Sequence, residues 1–258
     1  MPAVLRPDGP PPQQVHVLTT VAPWAAAFGV GRSAGDDLLD ELRALNMPAT
    51  ITDSAGGAPM TWLELARTAD DWSLRLPAAG DPDGLGPGAA GRAATEAGEA
   101  LVVVADETRV IVPSRDPDRA PTWTAHRVDG PIGATRTLGL GEARLILLDA
   151  IGDATAALTG LAGTSAGAAD TLRADLAEHV SRFAPVFPPG ADGRATEVAG
   201  LSAQVLGTLS LAADRRVGFG VALAHADEGD RRLGEVAAAA RTALAAAVNH
   251  VIGDFAHR

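Results

Sequence analysis

The 258 residues carry 32 Asp and Glu against 21 basic side chains, a formal charge of −11. That balance argues against nucleic acid and anionic membrane surfaces as partners, since both need a basic face. The absence of Cys removes disulfides, thiolate catalysis and cysteine-based metal sites together.

Nearly half the residues are apolar, but only 3% are aromatic, so the core must be built from Ala, Leu and Val around four Trp and five Phe. Every basic side chain is Arg and Tyr is absent, a bias that fits a high-GC bacterial genome. The start has no apolar run of signal-peptide length, and Arg, Asp and Glu interrupt the Ala-rich stretches before they reach a membrane span. The expectation is a cytoplasmic protein.

In chain order, residues 1–13 read as a Pro-rich tail. Val15–Val21 reads as a first strand, and Pro23-Trp24 as the opening of a helical stretch with Phe28. Ser33–Asn46 is a helix: Asp36 and Asp37 favour its start, Leu38, Leu42 and Leu45 form its stripe, and Asn46 with Pro48 ends it. Ala49–Thr52 is a short strand and Met60–Ala69 a short helix. Trp72, Leu74 and Leu76 alternate with polar residues as in a half-buried strand. Residues 77–98, rich in Gly, Pro and Ala, read as a long loop of the kind kept for mobility or function.

The clearest pattern is a meander. Leu101–Ala105, Thr108–Val112 and Thr122–Val128 are β-branched or aromatic runs divided by Asp106-Glu107 and by a Pro- and Asp-rich loop. Thr135–Leu140 adds an edge strand. Glu142–Leu161 is a helix with Leu145, Leu148 and Ile151 inward, and Gly160–Gly167 is a linker. Asp170–Arg182 and Thr196–Leu211 are helices separated by a loop at 185–192. Arg216–His225 alternates as a strand with one small-residue face, and a long Ala-rich helix closes the chain from Arg231 to about Phe255. The pattern of Val102–Pro113 returns in Ser210–Val221, either as an internal duplication or as ordinary hairpin chemistry used twice.

Each string that could carry chemistry has a plainer reading. Gly163-Thr-Ser165-Ala-Gly167 matches a nucleophile elbow, which requires a strand feeding a sharp turn. The residues before it look helical, so the linker reading is preferred. Gly86-Pro-Gly88-Ala-Ala-Gly91 matches the dinucleotide fingerprint but stands within a loop instead of directly after a strand. His225-Ala-Asp227-Glu228 offers ligand-type side chains without metal-site spacing, and the other acidic clusters suit turns. No catalytic, cofactor-binding or metal residue is assigned, and no cofactor is expected.

The order of a helix, Asp71-Trp-Ser-Leu-Arg-Leu76, a Gly-rich loop, Val102–Pro113 and Thr122–Val128 resembles the EspG family, cytosolic chaperones of type VII secretion. Gly130–Leu161 resembles the short strand and long helix that follow there. Leu201–Leu209 with Val217–Ala224 is similar to a helix and strand of the second half. The resemblance implies two pseudo-symmetric halves, a helical protein client and no catalytic residues.

The expected fold is α+β, antiparallel sheets packed by helices in two pseudo-similar halves, 14–162 and 168–258. The expected function is non-catalytic binding, by loop 77–98 and strand 217–224, of a secreted helical client. The alternatives are a hydrolase using Ser165 or the His225, Asp227 and Glu228 cluster, and a homo-oligomer packed through the terminal helix at Leu244 and Val248.

Overall fold

A computed structural model describes residues 15–114, 116, 118–130, 132–133, 138–159, 169–214 and 223–256. Its centre is a six-stranded sheet: β1 (Thr50–Asp53), β2 (Met60–Thr61), β3 (Asp71–Arg75), β4 (Ala100–Val104), β5 (Thr108–Ser114) and β6 (Thr122–Arg127). The spatial order is β2-β1-β6-β5-β4-β3, so the three strands of the meander occupy adjacent places, with β3 beside them at the edge. All pairs are antiparallel except β1 with β6, where Ile51 lies beside Trp123. The fold is α+β, as the alternating runs imply.

Eight helices surround the sheet among the described residues: α1 (Leu18–Gly29), α2 (Gly35–Ala44), α3 (Trp62–Thr68), α4 (Ala89–Ala97), α5 (Leu140–Thr159), α6 (Ala169–Phe183), α7 (Gly193–Asp214) and α8 (Leu223–Ala256). One face of the sheet carries Ile51, Leu74, Leu101, Ile111 and Trp123 into a core shared with α1, α3 and α8. Trp62 and Trp123 are fully buried there and meet edge to face, centroids 5.0 Å apart. The Trp123 indole N–H donates to the Pro48 carbonyl at 2.8 Å. The opposite face carries Ala100, Val102, Val110 and Val112 into a smaller cluster under α4.

Several elements depart from the sequence reading. Val15–Val21 is no strand: from Leu18 it is α1, whose residues Leu18–Ala27 are all buried. A helix covered on every side loses the one-sided periodicity that would announce it. The 77–98 loop contains α4, an Ala-rich segment with the strongest helix former at five of nine positions. On α5, Leu145 and Leu148 face out, whereas Ala143 and Leu147 are buried. Of the expected edge strand at 135–140, positions 135–137 lie outside the described residues, Leu138 and Gly139 are irregular, and Leu140 already belongs to α5.

In the expected strand Arg216–His225, positions 216–222 lie outside the described residues, and Leu223–His225 is the first turn of α8. The echo of Val102–Pro113 fails where it can be compared: Ser210–Asp214 ends helix α7, whereas Val102–Val104 is strand. Among the described residues, every strand lies between Thr50 and Arg127. The Gly160–Gly167 linker is outside the described set.

Local chemistry explains the helix starts. Thr61 and Glu64 form a capping box: the Glu64 N–H donates to Thr61 Oγ1 at 3.1 Å and the Thr61 N–H to Glu64 Oε2 at 2.7 Å. These bonds hold the Glu64 carboxyl below its ordinary pKa. Past the end of α2, Asn46 takes a positive φ of 55°, a conformation Asn tolerates and one that turns the chain toward Pro48.

Among the described residues one helix, Gly229–Ala256, is long enough and contains an 18-residue stretch apolar enough, with mean hydropathy 1.3, to cross a membrane by length and composition. This corrects the sequence reading that no stretch reaches that threshold. In the fold its buried residues, among them Leu244, Val248, Val251 and Phe255, pack against α1, α5, α7 and β3. Leu244 and Val248 therefore belong to the chain's own core. Arg at either position tests folding, not assembly.

Helices α6 and α7 meet closely because position 207 is Gly: a Cβ there would lie 2.7 Å from the Val180 backbone. Beside this contact His179 is 7% exposed, with Nδ1 2.8 Å from the Asp175 carbonyl and Nε2 2.9 Å from Asp214 Oδ2. Both partners are acceptors, so the ring satisfies both only as imidazolium, and the Asp214 bond raises its pKa. A raised folded-state pKa gives stability that is full below about pH 6.5 and lost as pH rises through the folded value. Urea unfolding should accordingly show lower stability at about pH 8.5 than at about pH 6, and His179→Gln should flatten that difference.

Candidate functional site

At β3 the sheet ends, and an edge strand exposes alternate amides that invite another chain. Here side chains take them. The Trp72 N–H donates to Asp71 Oδ1 at 2.8 Å and the Leu76 N–H to Asp83 Oδ2 at 3.0 Å. Between them Asn249, reaching over from α8, accepts from the Leu74 N–H at 2.7 Å and donates Nδ2–H to the Leu74 carbonyl at 3.0 Å. Its carboxamide stands where the peptide unit of a seventh strand would be. Asn249→Ala should cost about 2 kcal/mol in unfolding free energy, two bonds to a part-buried backbone, and should raise aggregation measured by light scattering.

Around this edge lies a cleft of about 730 Å³. Its walls are Asp71–Leu76, Asp81 and Asp83 on one side, Leu138-Gly139 at one border, and Ala238–His250 of α8 on the other. The α8 wall is about 18 Å long at 1.5 Å per residue. Trp72, Leu76, Leu138 and Ala245 supply apolar surface, and all four are buried apart from the face they show the cleft.

The polar groups divide unevenly. Asp81 Oδ1 accepts from the Asp83 N–H at 3.2 Å, so each of the three aspartates bonds a backbone amide of the wall. Thr242 Oγ1 donates to the Ala238 carbonyl at 2.9 Å. His250 pairs with Asp192 at 3.1 Å; the Arg194 N–H first, and the His250 bond after it, hold the Asp192 carboxyl below its usual pKa. Arg75 is 6% exposed, gives Nη1–H to the Asp83 carbonyl at 3.0 Å, and keeps a buried Nε–H without a partner among the described residues. Burial lowers its pKa while the Asp83 charge acts the other way. Arg241, half-buried on α8, has no ion pair or hydrogen bond among the described residues. One oxygen of each aspartate is committed to the wall, while the Arg75 Nε–H and the Arg241 guanidinium keep donors without a partner among the described residues.

A larger concavity of about 910 Å³ opens between α4 and the β5–β6 face, with Glu96, Glu99, Asp116, His126 and Arg182 on its walls. Glu99, Asp116 and Arg182 are engaged elsewhere. Glu99 is 1% exposed and accepts from the Val17 and Leu18 N–H groups at 2.9 and 2.8 Å, holding the start of α1. Arg182 pairs with Glu178. Burial lowers the His126 pKa against the pull of Asp53.

The residues singled out in the sequence fall as follows. Ser165 and the rest of the elbow string lie outside the described residues. His225, Asp227 and Glu228 lie on the helical backbone at the start of α8, not at a strand end, and their side chains are outside the described set. The Gly86–Gly91 string opens α4, with Gly91 obligatory because a Cβ would lie 1.9 Å from the Gly86 carbonyl oxygen. That helix follows a long loop after β3 and leads to an antiparallel partner, so the βαβ crevice of a dinucleotide site is absent there. The stretch 77–98 contributes Asp81 and Asp83 to the β3 cleft. Arg75, Arg241 and Asn249 escaped sequence reasoning, since nothing in the chain signals that α8 folds against the β3 edge.

Fold and site together define an α+β protein with a mixed, mainly antiparallel sheet and a cleft where the sheet edge meets the terminal helix. Residues 18–137 match the family model described as Rv1486c-like protein, N-terminal domain, and residues 141–245 match that of the Rv1486c-like protein, C-terminal domain. With both domains matched in order, the chain belongs to the Rv1486c-like family. No curated protein and no solved structure matches it.

Proposed function

We propose that this protein works by binding, and that the cleft between the β3 edge and α8 holds its ligand. The observation that carries this reading is the wall itself: Asp71, Asn249 and Asp83 take alternate amides at Trp72, Leu74 and Leu76 along the sheet edge, beside the uncommitted Arg241 guanidinium. A preformed concavity of this size with few convergent polar groups suits ligand binding. A second reading is a cytosolic, EspG-like chaperone holding a helical client, resting on the resemblance of Asp71–Leu76, Val102–Pro113 and Thr122–Val128 to that family.

The test is native mass spectrometry of the protein recovered from its own cells, wild type beside Arg241→Glu. Wild type should carry a bound species, protein or small molecule, that the variant loses while its far-UV circular dichroism is unchanged. Identical spectra for the two remove the cleft from the function. For the client version, co-expression with a helical-hairpin protein should give a stoichiometric complex in wild type only.

A further inference from the structure

The unpartnered guanidinium donors in the β3 cleft say what chemistry its ligand brings. An unpaired guanidinium, with five N–H donors and no acceptor, is completed by a carboxylate or phosphate. Arg241 offers such a group on one wall, and Arg75 places a second, deeply buried positive charge in the other. Burial of the Arg75 charge costs free energy that Asp83 offsets in part and an incoming anion offsets further.

The same cleft holds Asp71, Asp81 and Asp83, whose negative charges remain although oxygens of each bond the backbone. Three carboxylates repel a dianionic phosphate more strongly than a single carboxylate. The apolar walls at Trp72, Leu76, Leu138 and Ala245 leave room for a hydrocarbon body. From these observations we infer that the cleft binds a small monocarboxylic acid with an apolar body, its carboxylate on Arg241 and its hydrocarbon against Trp72 and Leu138.

This inference rests on the reading of the cleft as the ligand site and names the ligand's chemistry. The probe is octanoate, with octanamide and octyl phosphate as neutral and dianionic counterparts. Trp72 borders the cleft, whereas Trp24, Trp62 and Trp123 are packed in the core, so indole fluorescence reports occupancy and Trp72→Phe confirms the source.

Octanoate should change the fluorescence saturably, at least about tenfold more tightly than either counterpart, and Arg241→Gln should weaken it by about tenfold or more. Arg241→Lys, which keeps the charge but not the fork, should fall between. Nuclear magnetic resonance of the Arg side chains should show the Arg241 Nε–H shift moving with the same titration. Equal binding of octanamide, tighter binding of octyl phosphate, indifference to Arg241→Gln, or no saturable binding each overturns the carboxylate assignment. If octanoate fails while Arg241→Glu still strips the native ligand, the chemistry assigned here is wrong and the cleft remains the site.

Discussion

Glu99→Ala should lower the unfolding free energy by about 4 kcal/mol, measured by urea denaturation at neutral pH. The Glu99 carboxylate is buried and takes two amides at the N-terminus of α1, Val17 and Leu18. Such amides have no partner within their helix, and the positive end of the helix dipole favours a negative charge beside them. Each charge-assisted bond to a buried group contributes about 1.5–3 kcal/mol, so losing both exceeds the effect of an ordinary surface cap. Glu99→Gln keeps a single carboxamide acceptor and should lose about half as much. Glu96, exposed three residues earlier on α4, is the control, and its Ala variant should stay within about 0.5 kcal/mol of wild type.

Trp123→Ala should destabilise by a similar amount, about 4 kcal/mol, through a cavity at the middle of the sheet. β6 is the strand of the meander that pairs with β1, and Trp123 meets Trp62 edge to face from there. The two indoles separate under a milder change. Trp123 donates its N–H to Pro48, whereas the buried Trp62 Nε1–H has no partner among the described residues. Trp123→Phe strands the Pro48 carbonyl, and Trp62→Phe removes an unsatisfied donor. Thermal unfolding should rank Trp62→Phe above Trp123→Phe by about 1 kcal/mol or more.

The sequence was legible where one face of an element is buried and the other is wet. Trp72 and Leu74 alternate with exposed or half-exposed Asp71 and Ser73, and the β3 strand sits where that alternation puts it. Leu38 and Leu42 mark the buried stripe of α2 for the same reason. The reading failed where burial is uniform or Ala is the packing residue. α1 is apolar on all sides, and its β-branched start imitates a strand. On α5 the Leu145, Leu148 and Ile151 stripe is as well spaced as Ala143, Leu147 and Ala154, and the small Ala face allows the close approach to α8. Periodicity cannot rank two stripes of equal spacing.

The site was less legible than the fold because its parts are far apart in the chain. Asn249 meets Leu74 across 175 residues, and Glu99 meets Val17 across 82. Asp81 and Asp83 were readable as turn aspartates, and Asp81 does accept from the Asp83 amide. Their second role, lining a cleft beside two arginines, follows only from the folding of α8 against the sheet edge.

Amide hydrogen exchange of the ligand-loaded protein against the stripped protein bears most directly on the cleft as the binding site. Slowed exchange should be confined to 71–76 on β3 and 238–250 on α8, the two walls of the cleft. Protection instead across α4 and 112–126, the walls of the larger concavity, or no change in either place, would contradict it.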